Sequence, residues 1–255
     1  MKRILIIGGG SIGERHLRCF QQTGRVELGL CEISDDLRER LRAQYDLSEV
    51  FASLDDAVSP GFDAAVICVP AHLHINPVAT RLVELDWDLL IEKPLSTSLE
   101  EIPAFARLVE ERGRKVMIAF TYRSHPALAA MKEAIAGGRF GKPVQVSVVS
   151  GQYFPLYRPA YREIYYTKRE TGGGLTQDMF PHPLNAVEWL VGPLTSVYAN
   201  ASHRVLEGVE VDDTLSVLAR HGDVVATYAL NQHQAPNEST ITVVCEAGTA
   251  RFQYH

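Results

Sequence analysis

Lys93 lies in the run Glu92-Lys93-Pro94, directly after the apolar stretch Asp88–Ile91. A lysine at the carboxyl end of a buried strand stands at the mouth of a ligand cleft. Its ammonium could stabilise an alkoxide that develops as a hydride leaves. A second group of reactive residue types is Thr171-Gly172-Gly173-Gly174-Leu175-Thr176-Gln177-Asp178, followed by His182. Asp178 and His182 are four residues apart, so on a helix they would share one face. An imidazole can accept a proton near neutral pH, and a neighbouring carboxylate can orient it or hold a substrate hydroxyl. Three glycines let the backbone approach a ligand or another chain closely. The same residues also admit a plain structural reading, with Lys93 paired to Glu92 at the surface, Asp178 capping a helix and His182 packing beside it.

A third constellation opens the chain. Gly8, Gly10 and Gly13 follow the apolar run Ile4–Ile7 at the spacing Gly-x-Gly-x-x-Gly. The residues after Gly13 read as a helix, with Ile12, Leu17 and Phe20 apolar and Glu14, Arg15 and Arg18 polar. A glycine turn between a buried strand and a helix N-terminus leaves backbone N–H groups for a pyrophosphate. Gly8 would make the tight turn, Gly10 would leave room for phosphates, and Gly13 would let helix and strand pack closely. Ser11 and Ile12 complete the expected cofactor turn. The next apolar run, Val26–Cys31, ends in Glu32, about 20 residues beyond the last glycine, where a ribose-binding carboxylate is expected. That carboxylate would accept bonds from ribose hydroxyls and repel a 2′-phosphate. No basic residue follows before Arg38, so NAD is favoured over NADP. Pro70, His72 and His74, after the apolar stretch Ala64–Val69, belong to the same set of strand-end loops expected to line a cofactor. A βαβ unit with an empty glycine turn is the alternative.

The elements that must position these groups alternate through the first half of the chain. Strands are expected at Ile4–Ile7, Val26–Cys31, Glu49–Phe51, Ala64–Val69, Asp88–Ile91 and Val116–Phe120. Helices are expected at Asp35–Gln44, capped by Ser34, at Ser53–Val58, at Asn76–Leu85 with Pro77 in its first turn, and at Leu99–Arg112. Six buried strands joined by helices make an α/β, Rossmann-type doubly wound parallel sheet. After Tyr122 the pattern changes to a helix at Pro126–Ala136 and strands at Val144–Val149, Ser196–His203, Thr214–Arg220, Val224–Asn231 and Ser239–Cys245, with a helix inserted at Pro183–Val191. The expected organisation is a dinucleotide-binding domain over residues 1–122 and an α+β domain, mainly antiparallel, over 123–255.

The chain has 255 residues and a net charge of −6, which argues against nucleic acid or a membrane surface as partner. No apolar run approaches the ~20 residues of a membrane span. The apolar stretch after Met1-Lys2-Arg3 is only Ile4–Ile7, too short for a signal peptide. Cys19, Cys31, Cys68 and Cys245 are scattered, without the spacing of zinc ligands or a disulfide frame, and read as buried reduced thiols. A cytoplasmic location and no metal are expected.

The order Gly-x-Gly-x-x-Gly, then Glu-Lys-Pro, then Gly-Gly-Gly-x-x-x-Asp-x-x-x-His resembles the Gfo/Idh/MocA oxidoreductase family, over nearly the whole chain. Arg123 followed by Pro126 is similar as well. The resemblance implies NAD(P)-dependent chemistry at a CH–OH carbon of a sugar, cyclitol or sugar derivative. It implies Lys93, Asp178 and His182 as catalytic residues. His182 would be general base, Lys93 would polarise the reacting oxygen, Asp178 would orient substrate and Glu92 would anchor the nicotinamide half of the cofactor. Three departures stand out. Asn185 occupies a position where the family often has Asp, Phe180 one where glycine is frequent, and relatives commonly run beyond the position of His255.

The stretch Tyr153–Arg169 holds five tyrosines, together with Arg158, Arg162, Lys168 and Arg169. Aromatic rings stack on sugar faces, and guanidinium groups pair with carboxylates or phosphates. Tyr153 and Arg158 therefore join the substrate-binding candidates, beside Lys93, Asp178, His182, Arg123 and Asn185, which the resemblance implies. An excursion packed over the sheet or into a subunit contact fits the stretch equally. A second domain with strands but few helices would leave a sheet face for a homodimer or homotetramer. Two other functions share this architecture: a non-catalytic NAD-binding sensor, and a reductase like biliverdin reductase.

Overall fold

The structure is a computed structural model, and it describes residues 1–59 and 61–254. The chain divides into two compact units, Met1–Ala119 and Phe120–His255.

In the first unit, β1 (Lys2–Ile7), β2 (Val26–Cys31), β3 (Glu49–Phe51), β4 (Ala64–Ile67), β5 (Asp88–Ile91) and β6 (Val116–Ile118) form one sheet. Its order is β3-β2-β1-β4-β5-β6, and every pair is parallel. The order reverses direction between β1 and β4, the point at which such sheets open a crevice beyond the strands' carboxyl ends. The connecting helices are α1 (Ser11–Thr23), α2 (Asp35–Tyr45), α3 (Leu54–Val58), α4 (Thr80–Glu84) and α5 (Ile102–Arg112). Ser34 and Ser53 cap α2 and α3, each accepting from the N–H three residues on. Gly113 ends α5 in the left-handed conformation that glycine adopts without strain. Leu5, Ile7, Ala65, Ile67, Leu89 and Ile91 bury one face of the sheet, and Ile6, Leu30 and Val66 the other.

Three expectations shift. The strands at the sheet margins are not buried: β3 is half-exposed throughout, and Met117 of β6 is 67% exposed. Edge strands have a partner on one side only. The helix expected from Asn76 is a kinked turn over His74–Ala79 that leads into α4, because Asn76 stays extended ahead of Pro77. Cys19 is exposed rather than buried, on the outer side of α1.

The second unit contains β7 (Pro143–Gly151), β8 (Ser196–Ser202), β9 (Thr214–His221), β10 (Val224–Asn231), β11 (Glu238–Cys245) and β12 (Gly248–Tyr254). Their order is β12-β11-β7-β10-β9-β8. All neighbours are antiparallel except β7 and β10, which are parallel. Strand β12 was absent from the sequence expectation. The helices are α6 (Pro126–Ala136), α7 (Phe154–Tyr157), α8 (Leu175–Asp178) and α9 (Pro181–Val191). Val146, Val148, Val217, Tyr228, Ile241 and Val243 alternate inward and bury one face together with Leu128, Met131, Val187 and Leu190 of α6 and α9. Alternation is what a sheet covered on one face requires. Among the described residues no helix is long and apolar enough to cross a membrane.

Candidate functional site

In the first unit each glycine of the turn has its own steric reason. Gly8 has φ +93°, and a Cβ there would lie 2.8 Å from the Cys68 carbonyl oxygen. A Cβ on Gly13 would lie 1.8 Å from the Gly8 carbonyl oxygen, so α1 can meet β1 only at glycine. Around Gly10 a Cβ would meet nothing within 4 Å. Gly10 is also the N-cap of α1 and provides no side-chain acceptor. A helix N-terminus with open space before it and no side-chain cap fits a pyrophosphate.

Glu32 follows β2 as expected, but its carboxylate also works inward. One oxygen accepts from Gly9 N at 2.7 Å and the other from Ser34 N at 2.7 Å. A carboxylate has about four lone-pair positions, so these two bonds leave capacity for ribose hydroxyls. Arg38 donates to the Glu32 backbone oxygen and pairs with Asp35 at 2.5 Å.

The Glu92-Lys93-Pro94 loop is held from two sides by histidines. His16 Nε2 of α1 lies 2.8 Å from Glu92 Oε1. Glu92 Oε2 also accepts from Lys93 N at 3.3 Å. His74 is 1% exposed. Its Nδ1 lies 2.8 Å from the Pro94 oxygen, and its Nε2 lies 2.8 Å from the Val69 oxygen. Burial lowers the His74 pKa below the ordinary histidine value, and the two carbonyls and Glu92 only partly oppose it. The neutral ring has one N–H and donates to one of these carbonyls while packing against the other, so His74 holds the loop after β4 against the loop after β5, with its ring turned into the protein. His72 and Pro70 are exposed beside it, and Lys93 is half-buried. Burial pushes the Cys31 thiol up to about 11 and raises that of Cys68, which disfavours the thiolate at both.

In the second unit Asp178 ends α8, whereas His182 stands in the first turn of α9. The two therefore do not share one helix, since the chain breaks at Met179-Phe180 before Pro181. Asp178 is 9% exposed and accepts from the Tyr165 hydroxyl at 2.8 Å. His182 stacks on Tyr122, with ring centroids 5.7 Å apart and planes 23° apart, and meets the edge of Phe120. Arg123 Nε donates to Asn185 Oδ1 at 2.8 Å, joining two residues that the sequence had proposed separately. Tyr153 and Arg158 lie on the stretch around α7. The Tyr153 N–H is held by Asn237, and the exposed Arg158 guanidinium lies over the Phe154 ring.

His16 and Tyr165 are the residues that sequence reasoning missed as site residues. Each touches a candidate residue far along the chain or in irregular structure, and neither contact leaves a local pattern.

The strand order, the glycine turn with its uncapped helix and the acid after β2 define a dinucleotide-binding doubly wound domain joined to a mainly antiparallel α+β unit. Residues 2–120 match the family described as "Oxidoreductase family, NAD-binding Rossmann fold", and residues 128–251 match the "GFO/IDH/MocA C-terminal domain". The chain belongs to the Gfo/Idh/MocA family. It is 26% identical to inositol 2-dehydrogenase of Rhizobium meliloti, over 74% of this chain and 55% of that protein. It is 26% identical to levoglucosan dehydrogenase of Pseudarthrobacter phenanthrenivorans, over 98% of this chain and 73% of that protein. The WlbA dehydrogenase of Bordetella pertussis, solved with NADH and UDP-GlcNAcA, superposes with a TM-score of 0.89 at 26% identity. That superposition covers 99% of this chain and 79% of the other. The chain thus spans just over half of the inositol dehydrogenase it matches.

Proposed function

We propose that this chain carries out NAD-dependent oxidoreduction at a CH–OH group of a sugar, cyclitol or sugar derivative. The observation that carries the reading is the open, uncapped glycine turn in the same chain as the loop-held Lys93 and the Asp178–His182 pair. A sensor that only bound NAD would need the turn but not the other three. A biliverdin-type reductase would not need a hydroxyl-binding set such as Asp178, His182 and Asn185.

Bound at the turn, NAD supplies the hydride acceptor. Gly10 and the first N–H groups of α1 would hold its phosphates, and Glu32 would accept from a ribose hydroxyl. Glu92, braced by His16, supports the nicotinamide half. Lys93 stabilises negative charge that grows on the substrate oxygen. His182 takes the hydroxyl proton, and Asp178 orients substrate or imidazole. NAD is preferred over NADP because the Glu32 carboxylate would repel a 2′-phosphate.

Within this class the Tyr153–Arg169 stretch favours an acidic or nucleotide-linked sugar, because the Arg158 guanidinium is exposed and the WlbA relative was solved with UDP-GlcNAcA. We also propose a homodimer or homotetramer formed on the uncovered face of the second sheet. Tyr198 of β8 and Leu218 of β9 pair across the strands on that face and are 76% and 53% exposed. Light scattering that finds only monomer at micromolar concentration would refute this. A cytoplasmic location remains part of the proposal.

The activity is tested by screening sugars, cyclitols and nucleotide sugars, including uronic acids, with NAD and NADP, following absorbance of the reduced nicotinamide. Turnover of none of them, in a preparation that binds NAD, overturns the enzyme reading in favour of the sensor.

A further inference from the structure

The Gly172-Gly173-Gly174 run and the tyrosine-rich stretch before it form one device in the structure. Tyr165 is 41% exposed, and its hydroxyl donates to Asp178 Oδ1 at 2.8 Å. The next residue, Tyr166, is 1% exposed and donates to the side-chain oxygen of Gln232. It sits in a small core with Phe154, Tyr161, Leu206, Val209 and Val211. Burial pushes the Tyr166 hydroxyl pKa up, so it stays protonated and remains a donor. One tyrosine is therefore anchored in a core while its neighbour reaches a candidate catalytic acid.

The glycines explain how that reach is achieved. Thr171 Oγ1 donates to the Tyr165 carbonyl oxygen at 2.6 Å, and Gly173 N donates to the Lys168 oxygen at 2.8 Å. A Cβ on Gly173 would lie 2.2 Å from the Tyr166 oxygen and 2.6 Å from the Lys168 oxygen. Gly174 has φ +90°, and a Cβ there would lie 2.6 Å from Asp212 Oδ1. The Asp212 carboxylate accepts from both the N–H and the hydroxyl of Thr176, fixing the start of α8. The backbone of the tyrosine stretch thus presses directly on the start of the helix that carries Asp178. A side chain at 173 would hold the two apart, and one at 174 would push Asp212 away from the start of α8.

We propose that Tyr165 is a positioning residue for Asp178, that its phenol pins the carboxylate in one orientation, and that the glycine run serves to bring the two together. A ligand-contacting role for the glycines is not needed. The proposal rests on the reading of Asp178 as the acid that orients substrate.

Two measurements on the full chain test it, with Tyr165→Phe as the variant. That change removes the hydroxyl and keeps the ring, so the protein should still fold, with a melting temperature lowered modestly by the bond lost at the buried carboxylate. The first measurement needs neither cofactor nor substrate: the side-chain carboxyl 13C resonance of Asp178 should move in the variant, and an unmoved resonance overturns the proposal. The second is kinetic. Loss of a hydrogen bond to a charged group should lower kcat about 10-fold to 100-fold, with NAD affinity unchanged. In an Asp178→Asn background the same change should cost less than about twofold, because the two residues act as one unit. Losses that multiply independently overturn the positioning role. If the unsubstituted protein turns over no candidate substrate, the enzyme reading falls, and the carboxyl resonance alone decides on Tyr165.

Discussion

His16 Nε2 and Glu92 Oε1 are 2.8 Å apart, although 76 residues separate them in the chain. His16 stands three positions past the last glycine of the turn, and Glu92 immediately precedes Lys93. The contact therefore joins the helix that begins at the phosphate turn to the loop that carries the candidate charge stabiliser. Both side chains are largely buried, so Glu92 depends on this partner. His16→Ala should destabilise the first unit by about 1–3 kcal/mol, the cost of a buried acceptor left short of a bond. His16→Gln, which can still donate, should restore much of it. Urea unfolding of the three proteins checks this, and an unchanged midpoint for His16→Ala would show that water replaces the imidazole at no cost.

His74 should make the protein lose stability on mild acidification. Its folded pKa is depressed, chiefly by burial. Between that value and ~6.5 the unfolded chain binds a proton that the folded chain resists. Stability should therefore fall as the pH drops below ~6.5. Carboxylates contribute their own loss only nearer to pH 4, so the two effects occupy different windows. His74→Asn should flatten the slope between neutral pH and pH 5 while lowering stability at pH 7. Denaturant midpoints at several pH values test the sign, and an unflattened slope in the variant would transfer the effect to another histidine.

Two of the turn glycines, Gly13 and Gly10, should respond differently to the same methyl group. Gly13→Ala drives a Cβ onto the Gly8 carbonyl, and overpacking of that kind costs on the order of 1–3 kcal/mol or more. Gly10→Ala meets no protein atom within 4 Å, so its melting temperature should stay near that of the parent. Its methyl would instead intrude on the phosphates and weaken NAD binding by tenfold or more. Calorimetry of unfolding and NAD titration on both variants separate the two effects. Equal losses of stability would refute the assignment of packing to one glycine and ligand space to the other.

Much of this arrangement was legible in the sequence because its signals are local. The apolar runs ending at Ile7, Cys31 and Ile91 mark strands buried on both faces. Ser34 and Gly113 mark helix ends by their own side-chain or backbone chemistry. What was not legible depends on partners distant in sequence or on edges. Strand β12 buries only Phe252 and exposes Thr249, Arg251 and Gln253, so its alternation carries little apolar signal. Of five tyrosines in the 153–169 stretch, the one that meets Asp178 is selected by the anchoring of Tyr166 on Gln232, which lies 66 residues on. Asp178 and His182 would share a face only on one continuous helix, and the chain instead breaks at Met179-Phe180, where it turns into Pro181.

Glu32 should govern both cofactor choice and the shape of the turn. Glu32→Ala removes the charge that would repel a 2′-phosphate, so the ratio of NADP to NAD dissociation constants should narrow by about tenfold, an electrostatic change of ~1.4 kcal/mol. It also frees Gly9 N and Ser34 N, which the carboxylate now satisfies, so NAD itself should bind less well. Titration with both cofactors tests the two expectations together. An unchanged ratio with weaker binding of both would leave Glu32 with the scaffold role alone.

Lys93 and His182 should each be needed for turnover but not for NAD binding. A hydroxyl that loses its proton while its carbon gives up a hydride places negative charge on oxygen. An ammonium nearby lowers the energy of that state, and an imidazole provides somewhere for the proton to go. Removing one electrostatic stabiliser or one base typically lowers turnover ~10²–10³-fold. Lys93→Met keeps the length of the side chain and removes the charge, so the Glu92 and Pro94 contacts made by His16 and His74 should survive. His182→Ala removes the ring that stacks on Tyr122 and should cost some stability as well, which makes His182→Gln the cleaner variant. Both should titrate NAD with the affinity of the parent chain while kcat falls by those factors. In His182→Gln the pH dependence of kcat should also lose the limb that reports the base. Near-normal turnover in Lys93→Met would remove the lysine from the mechanism and return it to the plain role of a surface charge beside Glu92.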